Sequence, residues 1–230
     1  MLHKLCFSLL LLCFVVNATG QQESKPQKPD YNEIERLTKT ATSPYYYSKL
    51  LQRYNGDDTT LTSEDFRMLY FGYFFQDAYD AYHGNNYKDS VKKLMDKGNL
   101  SEPERKKIIL FAQEDLKNNP FHLNDLNILY IQYVALGDKT NIAVTRFKFK
   151  SLIQSILSTG DGSSKETAFH VLSVSDEYTF LSAMGLKYKG HETDNETKTD
   201  YLTVEENNSG VLGVFFDVSQ IFAGYTKVKK

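Results

Sequence analysis

The residues that could carry out chemistry are concentrated in one polar stretch of the last third of the chain. Its densest polar group consists of Asp161, Ser163, Ser164, Glu166, His170 and Asp176. Serine, histidine and a carboxylate are the residue types of acyl transfer, in which the histidine takes the proton of the serine hydroxyl. One function hypothesis is therefore a hydrolase centred on Ser163, Glu166 and His170. The sequence has no Gly-x-Ser-x-Gly motif that would expose a nucleophile at a strand-to-helix turn.

Metal binding by the same stretch is not expected. Glu166 and His170 are four residues apart, and in an extended strand that spacing separates them by roughly 13 Å, which is too far for one ion. His191-Glu192 lacks the second histidine of a zincin motif. The loop over residues 161–166 lacks the alternating Asp/Asn ligands of a calcium-binding loop. We expect neither a metal nor another cofactor.

The tyrosines are the second group that could form a site. Most aromatic residues between Tyr45 and Tyr82 follow helical spacing, which predicts that they face the core. Tyr46, Tyr79, Tyr82 and His83 fall outside these stripes and are the candidates for an exposed patch. Such a patch would bind a glycan or a protein partner, because tyrosine rings bury a large area at a small cost in entropy. Together with Asp161, Glu166 and His170, these four residues form our set of candidate binding residues.

The first 20 residues read as a secretory signal peptide. Lys4 precedes twelve almost wholly apolar residues (Leu5–Val16), and Ala18-Thr19-Gly20 offers small residues for cleavage near Gly20. The apolar run is shorter than the roughly 20 residues that a membrane span needs. We therefore expect an exported protein, periplasmic or secreted, whose mature chain has no membrane span. Residues 21–30, polar with two prolines, are expected to form a flexible leader.

The composition excludes one class of partner. Lys and Arg number 27 against 29 Asp and Glu, so the net charge is −2 and no basic excess is available to neutralise phosphates. A nucleic-acid partner is not expected.

The elements that must position these residues are predicted to be helices over residues 31–158 and a small α/β subdomain over residues 159–230. Ser101-Glu102-Pro103-Glu104 is a capping box, and residues 62–75 carry an apolar face wide enough to pack on two sides. After Gly160, residues 169–174, 186–188, 201–205 and 211–218 read as strands, with a helix from about Ser175 and a polar loop over residues 189–199. The fold class is α+β: a helical N-terminal two-thirds, then a small, mostly antiparallel sheet with one helix.

Residues near the end of the helical region resemble a tetratricopeptide-type hairpin. Leu126, Leu129 and Tyr133 occupy its large apolar positions, and Gly137-Asp138 falls at the turn between its helices. Roughly fifty residues fit, about one and a half repeats, and such a short array cannot bury its faces unaided. We expect a hairpin with repeat-like packing and not a repeat array.

Several motifs together resemble a known family. They are GDGSSKETAFHVLSVSDEY (Gly160–Tyr178), Tyr45–Leu50, Asp58–Thr62, Leu69–Gln76, Asp200–Leu202 and Gly213–Ser219. The sequence is similar to small secreted bacterial proteins of the domain-of-unknown-function 4919 type. Asp176 stands where that family leads us to expect histidine. The resemblance implies export and one compact domain, and it implies no activity.

Three functions remain open at this point. The first is a non-catalytic exported envelope protein that acts as a protein–protein interaction module, favoured by the helical hairpin. The second is a glycan or small-ligand binding protein that uses the tyrosines. The third is the hydrolase described above.

Overall fold

A computed structural model describes residues 26–81 and 87–228, the side chains of the last four excepted. Seven helices in these residues precede the sheet: α1 (Tyr31–Lys39), α2 (Tyr47–Asn55), α3 (Ser63–Tyr73), α4 (Lys88–Met95), α5 (Glu102–Asn118), α6 (Leu123–Leu136) and α7 (Lys139–Leu157). The C-terminal elements are β1 (Phe169–His170), α8 (Val174–Ala183), β2 (Tyr188–Asp194), β3 (Thr199–Val204), β4 (Gly213–Asp217) and α9 (Ser219–Val228). The fold is α+β, as the sequence predicts. No helix in the described ranges combines the length and apolarity that crossing a bilayer requires.

Local capping explains where the helices of the site begin and end. The predicted capping box of α5 is confirmed, because Ser101 and Glu104 satisfy each other's backbone donors. Helix α6 ends at Gly137, whose φ of 70° is in the left-handed region that glycine tolerates best. Asp138 then caps α7, its carboxylate accepting from the backbone N–H of Asn141 at 3.1 Å. The chain therefore reverses between two long helices within a few residues.

Helix α3 lies at the centre of the helical layer. Its residues Phe66, Leu69, Tyr70 and Phe71 are all almost fully buried, which confirms that this helix packs on more than one side. Gly72 permits the close approach of α1, because a β-carbon there would lie 2.8 Å from Cγ2 of Thr38. The helix is the element around which the rest of the core is assembled.

The sheet has the strand order β1-β4-β3-β2. Strand β1 pairs in parallel with β4, whereas β4–β3 and β3–β2 are antiparallel, so the sheet is mostly antiparallel as predicted. One cluster of buried apolar side chains extends from Ile34 in α1 through the sheet to Ile221 in α9. A smaller cluster joins α4, α5 and α6 around Ile108 and Ala112.

Two predictions about where strands begin and end were wrong. The polar run over 189–199 was expected to be a loop, but most of it belongs to β2 and the turn that follows. Strand β2 lies at the edge of the sheet with its side chains mostly exposed, so it lacks the apolar alternation that marks a strand. The strand expected over 169–174 has only two residues. Ser173 caps α8 instead, its hydroxyl accepting from the N–H of Asp176 at 3.2 Å.

Candidate functional site

His170, the histidine of the sequence-predicted hydrolase site, lies in the core. It is 6% exposed, and its Nδ1 is 3.4 Å from the hydroxyl of Tyr31. Its Nε2 is 3.7 Å from a carboxylate oxygen of Asp217, beyond hydrogen-bond distance. Burial lowers the pKa of His170, although the charge of Asp217 opposes the shift. The ring is therefore placed as a neutral group that packs β1 against α1.

Asp161 organises the loop that precedes β1. Its carboxylate accepts from the hydroxyl of Thr167 at 2.5 Å and from the hydroxyl and backbone N–H of Ser163 at 2.7 and 2.9 Å. These hydrogen bonds, that of Thr167 first, lower the pKa of Asp161 to about 2. Glu166 is exposed, and its hydrogen bond with Ser164 lowers its pKa. In the part of the chain described, Ser163 therefore contacts Asp161, while the His170 ring contacts Tyr31.

The four aromatic candidates have different surroundings. The hydroxyl of Tyr79 donates to the carbonyl of Leu172 at 2.8 Å, and its ring packs edge-to-face on Phe74 with centroids 5.2 Å apart. Tyr46 is half-buried just before α2. Tyr82 and His83 lie outside the described residues. Tyr79 is thus held by the core on more than one side.

A first cavity, of about 550 Å³, lies among α2, α5, α6 and α7, and we call it the tyrosine cavity. Rings and amides make up much of its lining: Tyr47, Tyr54, Tyr73, Tyr133, Asn55, Gln76, Gln113, Asn118 and Asn141. Lys148 also contributes to the wall. Its ammonium lies 4.4 Å from the centroid of the Tyr54 ring and 2.5 Å from the carboxylate of Asp57. The cavity therefore combines aromatic faces, neutral hydrogen-bonding groups and a few charged groups, namely Lys117, Lys148 and Asp57.

The tyrosine hydroxyl groups of this cavity differ in whether they have a hydrogen-bond partner. Tyr54 donates to the carbonyl of Pro120 at 2.8 Å, and Tyr133 accepts from the amide of Gln113 at 3.1 Å. The hydroxyl of Tyr47, in contrast, is buried and has no hydrogen-bond partner among the described residues. Burial raises the pKa of Tyr47, so this hydroxyl keeps its proton and stays a donor. An unpartnered buried donor costs roughly 1–3 kcal/mol, which a bound acceptor would recover.

A second cavity, of about 570 Å³, lies against the other face of α6, and we call it the serine cavity. Leu126, Leu129 and Tyr133 face the tyrosine cavity, whereas Asn124, Asn127, Ile128 and Ile131 face the serine cavity. The latter four follow i, i+3, i+4, i+7 spacing, which places them on one face of a helix. Helix α6 is therefore the wall shared by the two cavities.

Three polar residues form a chain of short contacts at the serine cavity. The hydroxyl of Ser175 lies 3.0 Å from Nε2 of His122, and Nδ1 of His122 lies 2.6 Å from a carboxylate oxygen of Asp125. Both Ser175 and His122 line the cavity, and Asp125 is fully buried behind them. Our sequence reasoning did not identify these residues. His122 and Asp125 sit at the start of α6, but Ser175 is 53 residues away and no local pattern joins it to them.

A group of buried acids continues from this contact chain into α8. Asp176 accepts from the hydroxyl of Tyr70 at 2.7 Å, and its pKa is raised by burial. Glu177, the next residue, is fully buried, and neither of its carboxyl oxygens has a hydrogen-bond partner in the described ranges. Burial, and then the charges of Asp200 and Asp176, raise the pKa of Glu177 to about 9. Glu177 is therefore protonated at neutral pH.

Metal ligands do not converge anywhere in residues 26–81 and 87–228. No group of three or more histidine, cysteine, aspartate or glutamate side chains in that part of the chain could hold an ion.

The fold and its cavities define an α+β protein in which a helical layer with a cavity on each face of α6 precedes a mixed four-stranded sheet. The chain belongs to the family described as Domain of unknown function (DUF4919), whose family model matches residues 32–227. Membership in this family was expected from the motifs at Gly160–Tyr178 and elsewhere. No curated protein and no solved structure gives a significant match.

Proposed function

We propose that this protein binds a small polar ligand of the glycan class in the tyrosine cavity. The volume of about 550 Å³ falls in the range of ligand pockets, which is roughly 300–1,000 Å³. Tyrosine faces pack against the C–H faces of a sugar ring, while amide side chains such as Asn118 and Asn141 hydrogen-bond to its hydroxyl groups. The cavity supplies both kinds of contact.

The observation that carries this proposal is the unpartnered hydroxyl of Tyr47. The hydroxyls of Tyr54 and Tyr133 at the same cavity are occupied by partners within the protein and serve as structural contacts. Among these three, only Tyr47 has a buried hydroxyl with no partner of either kind among the described residues, so its donor is open to a ligand acceptor. Binding would remove the cost of that donor and so gain affinity and orientation.

The experiment is a soluble glycan array followed by calorimetric titration of the best-bound glycan. Tyr47→Phe removes only the hydroxyl, and we expect it to weaken binding by about tenfold. Tyr46→Phe is the matched control, because it removes the hydroxyl of the neighbouring residue, which does not line the cavity. Its affinity should equal that of the wild type. Silence across the array, or equal affinity of Tyr47→Phe and wild type, contradicts the proposal.

Export of the protein is part of the proposal. It is supported by the order of Lys4, the apolar run Leu5–Val16 and the small residues before Gln21, all of which lie outside the described residues. Cell fractionation with N-terminal sequencing tests it. We expect the protein in the envelope or the medium with Gln21 as its first residue, and an unprocessed cytosolic chain would overturn this part.

A second candidate function is a protein–protein interaction module with a tetratricopeptide-like hairpin. It is favoured by large apolar side chains that remain exposed on α5 and α6, where Leu110 is 59% and Val134 is 49% exposed. Exposed apolar groups on a helical layer are typical of partner-binding faces. Co-purification from the native envelope with Leu110→Glu and Val134→Glu variants tests this role. Loss of a bound protein in these variants alone supports it, and a wild-type protein that retains nothing counts against it.

A further inference from the structure

The serine cavity brings together the three residue types of a hydrolytic triad, with the histidine between the serine and the carboxylate. Nδ1 of His122 contacts the carboxylate of Asp125, which can only accept, so Nδ1 carries the ring proton. In the neutral ring Nε2 is then an acceptor, and it lies 3.0 Å from the hydroxyl of Ser175. The serine therefore donates to a base whose tautomer is fixed by a buried carboxylate.

The position of Ser175 in the fold suits a nucleophile. It is the second residue of α8, a few residues after β1, so the hydroxyl lies where a strand leads into a helix. Backbone N–H groups in the first turn of a helix have no acceptor within that helix, and the helix dipole adds positive potential there. The N–H of Asp176 in this turn is already bonded to Ser173, so an oxyanion that forms next to Ser175 would be stabilised by the remaining N–H groups of the turn.

The cavity wall indicates the class of substrate. Val91, Ile128 and Val174 form an apolar portion, which suits an acyl chain. Lys88, Lys92, Asp80 and Asp96 also line the cavity, with Lys92 paired to Asp96 at 2.5 Å, and this polar portion without net charge suits a polar alcohol. An ester that joins an apolar acyl group to a polar alcohol matches both portions.

We propose that Ser175, His122 and Asp125 form an esterase site that hydrolyses acyl esters of polar alcohols in the serine cavity. The oxygen of Ser175 bonds to the ester carbonyl carbon while its proton passes to Nε2 of His122. The bond to the alcohol oxygen then breaks, and the alcohol leaves with that proton. Water attacks the acyl-serine, gives a proton to His122 and releases the carboxylic acid, after which Ser175 regains its proton. Asp125 is a positioning residue throughout.

The same contacts also have a structural reading. His122 is the N-cap residue of α6, and Asp125 stands three residues later, so their contact stabilises the start of that helix. The bond to Ser175 would then only tie α6 to α8. A structural tie predicts an unreactive serine, which separates the two readings experimentally.

The first experiment uses the wild-type protein and does not depend on any variant that might fail to fold. A fluorophosphonate probe, which reacts with activated serines, is incubated with the purified protein, and the adduct is located by peptide mass spectrometry. We expect one adduct, on Ser175. No adduct, or an adduct on Ser163 or another serine, overturns the proposal.

The second experiment measures hydrolysis of p-nitrophenyl acetate, butyrate and octanoate. We expect Ser175→Ala to lower kcat/KM by about 10³-fold or more, with an unchanged circular dichroism spectrum. Ser163→Ala is the matched control, because it removes a serine of the exposed loop before β1, and its activity should equal that of the wild type. Equal activity of Ser175→Ala and wild type would contradict the esterase site.

The third experiment tests the positioning role of Asp125. Asp125→Asn should lower kcat much more than it raises KM, because the amide stabilises the wrong histidine tautomer. The rising limb of the pH–rate profile should also move to lower pH, since Asp125, Asp176 and Asp115 are the acids that favour protonated His122. The charged groups of the cavity wall (Asp80, Asp96, Lys88 and Lys92) are unchanged in this variant and serve as a constant background. An unshifted pH–rate profile together with a loss of folded protein indicates that Asp125 has only a structural role, and it overturns the positioning role.

Discussion

The hydroxyl of Tyr70 in α3 donates to the buried carboxylate of Asp176 in α8 at 2.7 Å. The same hydroxyl accepts from the backbone N–H of Leu172 at 3.2 Å, so one phenol oxygen joins the helical layer to the segment that leads into α8. Asp176 directly follows Ser175. The contact that ties the two parts of the fold together therefore also fixes the first turn of the helix that carries the serine of the serine cavity.

Removing this hydroxyl should destabilise the protein. Tyr70→Phe removes the short hydrogen bond to the buried carboxylate of Asp176 and leaves the buried N–H of Leu172 without its acceptor, and we expect it to lower the free energy of unfolding by about 2–3 kcal/mol. Urea unfolding followed by circular dichroism measures the change. Tyr46→Phe is the control, since its half-buried ring precedes α2, and it should lie within about 0.5 kcal/mol of the wild type. Equal midpoints for the two variants would contradict the prediction.

Gly162 should be far less tolerant of substitution than Gly185. Both have φ in the left-handed region, at 67° and 74°. A β-carbon at Gly162 would lie 2.5 Å from the Phe169 ring, whereas a β-carbon at Gly185 meets nothing within 4 Å. Gly185→Ala should therefore cost only the backbone strain, about 1–2 kcal/mol.

Gly162→Ala adds the displacement of buried side chains, which typically costs about 1–3 kcal/mol more. Thermal and urea unfolding of the two variants give the comparison directly. The difference between the two variants in the free energy of unfolding gives the packing cost at Gly162 without the backbone strain. If Gly185→Ala is the more destabilised variant, the close packing described around Gly162 is wrong.

The fold was largely predictable because most of its elements carry local signals. The capping box at Ser101 and the glycine at the end of α6 are readable within a few residues, and the aromatic spacing of α3 is a period of 3.6. Most of strand β2 beyond Tyr188 was missed, because an edge strand with both faces exposed need not alternate apolar and polar residues. The position of Ser173 as the cap of α8 was missed because its neighbours Phe169 to Val174 have the composition of a strand.

The candidate sites were much less predictable. The polar cluster around Asp161 stabilises its own loop, and His170 contributes to the core, although both have the residue types of an active site. The contact between His122 and Ser175 depends on how α6 packs against α8, which no sequence spacing encodes. The Tyr47 hydroxyl was predicted as a core group from its helical position, and only the packing of four helices reveals that it lacks a partner.

Glu177 should make stability depend on pH in the neutral range. Its pKa is about 9 in the folded protein and near the ordinary value of 4.5 when unfolded, because burial and the charges of Asp200 and Asp176 penalise the charged form. Between these two values the folded state holds a proton that the unfolded state has lost. The free energy of unfolding therefore falls as pH rises through this window, by at most about 1.4 kcal/mol per pH unit from this group.

Glu177→Gln replaces the titrating carboxyl group with an amide of the same shape. The free energy of unfolding of this variant should therefore depend less on pH between about pH 5 and 9. Urea unfolding at several pH values measures both slopes. Asp176, His122 and His170, whose pKa values are also shifted, remain in the variant, so a slope that persists is assigned to those groups. A variant as steep as the wild type would show that Glu177 is not the group responsible.

The pKa values of His122 and His170 should be shifted in opposite directions from the ordinary histidine value of 6.5, that of His122 upward and that of His170 downward. Burial lowers the pKa of His122, but the hydrogen bond that it donates to Asp125 and the charges of Asp125, Asp176 and Asp115 outweigh it, so the net shift is upward. Burial also lowers the pKa of His170, and there Asp217 does not compensate, while Lys28 and Arg67 add to the lowering. The pKa values of the two buried histidines thus differ according to whether a carboxylate contacts the ring.

An NMR titration of the imidazole C–H signals measures both values in the same sample. His122 stabilises the fold most below pH 6.5, and that contribution is lost as pH rises through its raised pKa, because the folded state then releases the proton that pairs with Asp125. Asp125→Asn should move the His122 titration to lower pH and leave that of His170 in place. If the two histidines shift together, the contact between His122 and Asp125 does not control the ring, and a fixed tautomer can no longer explain how Nε2 would act as a base toward Ser175.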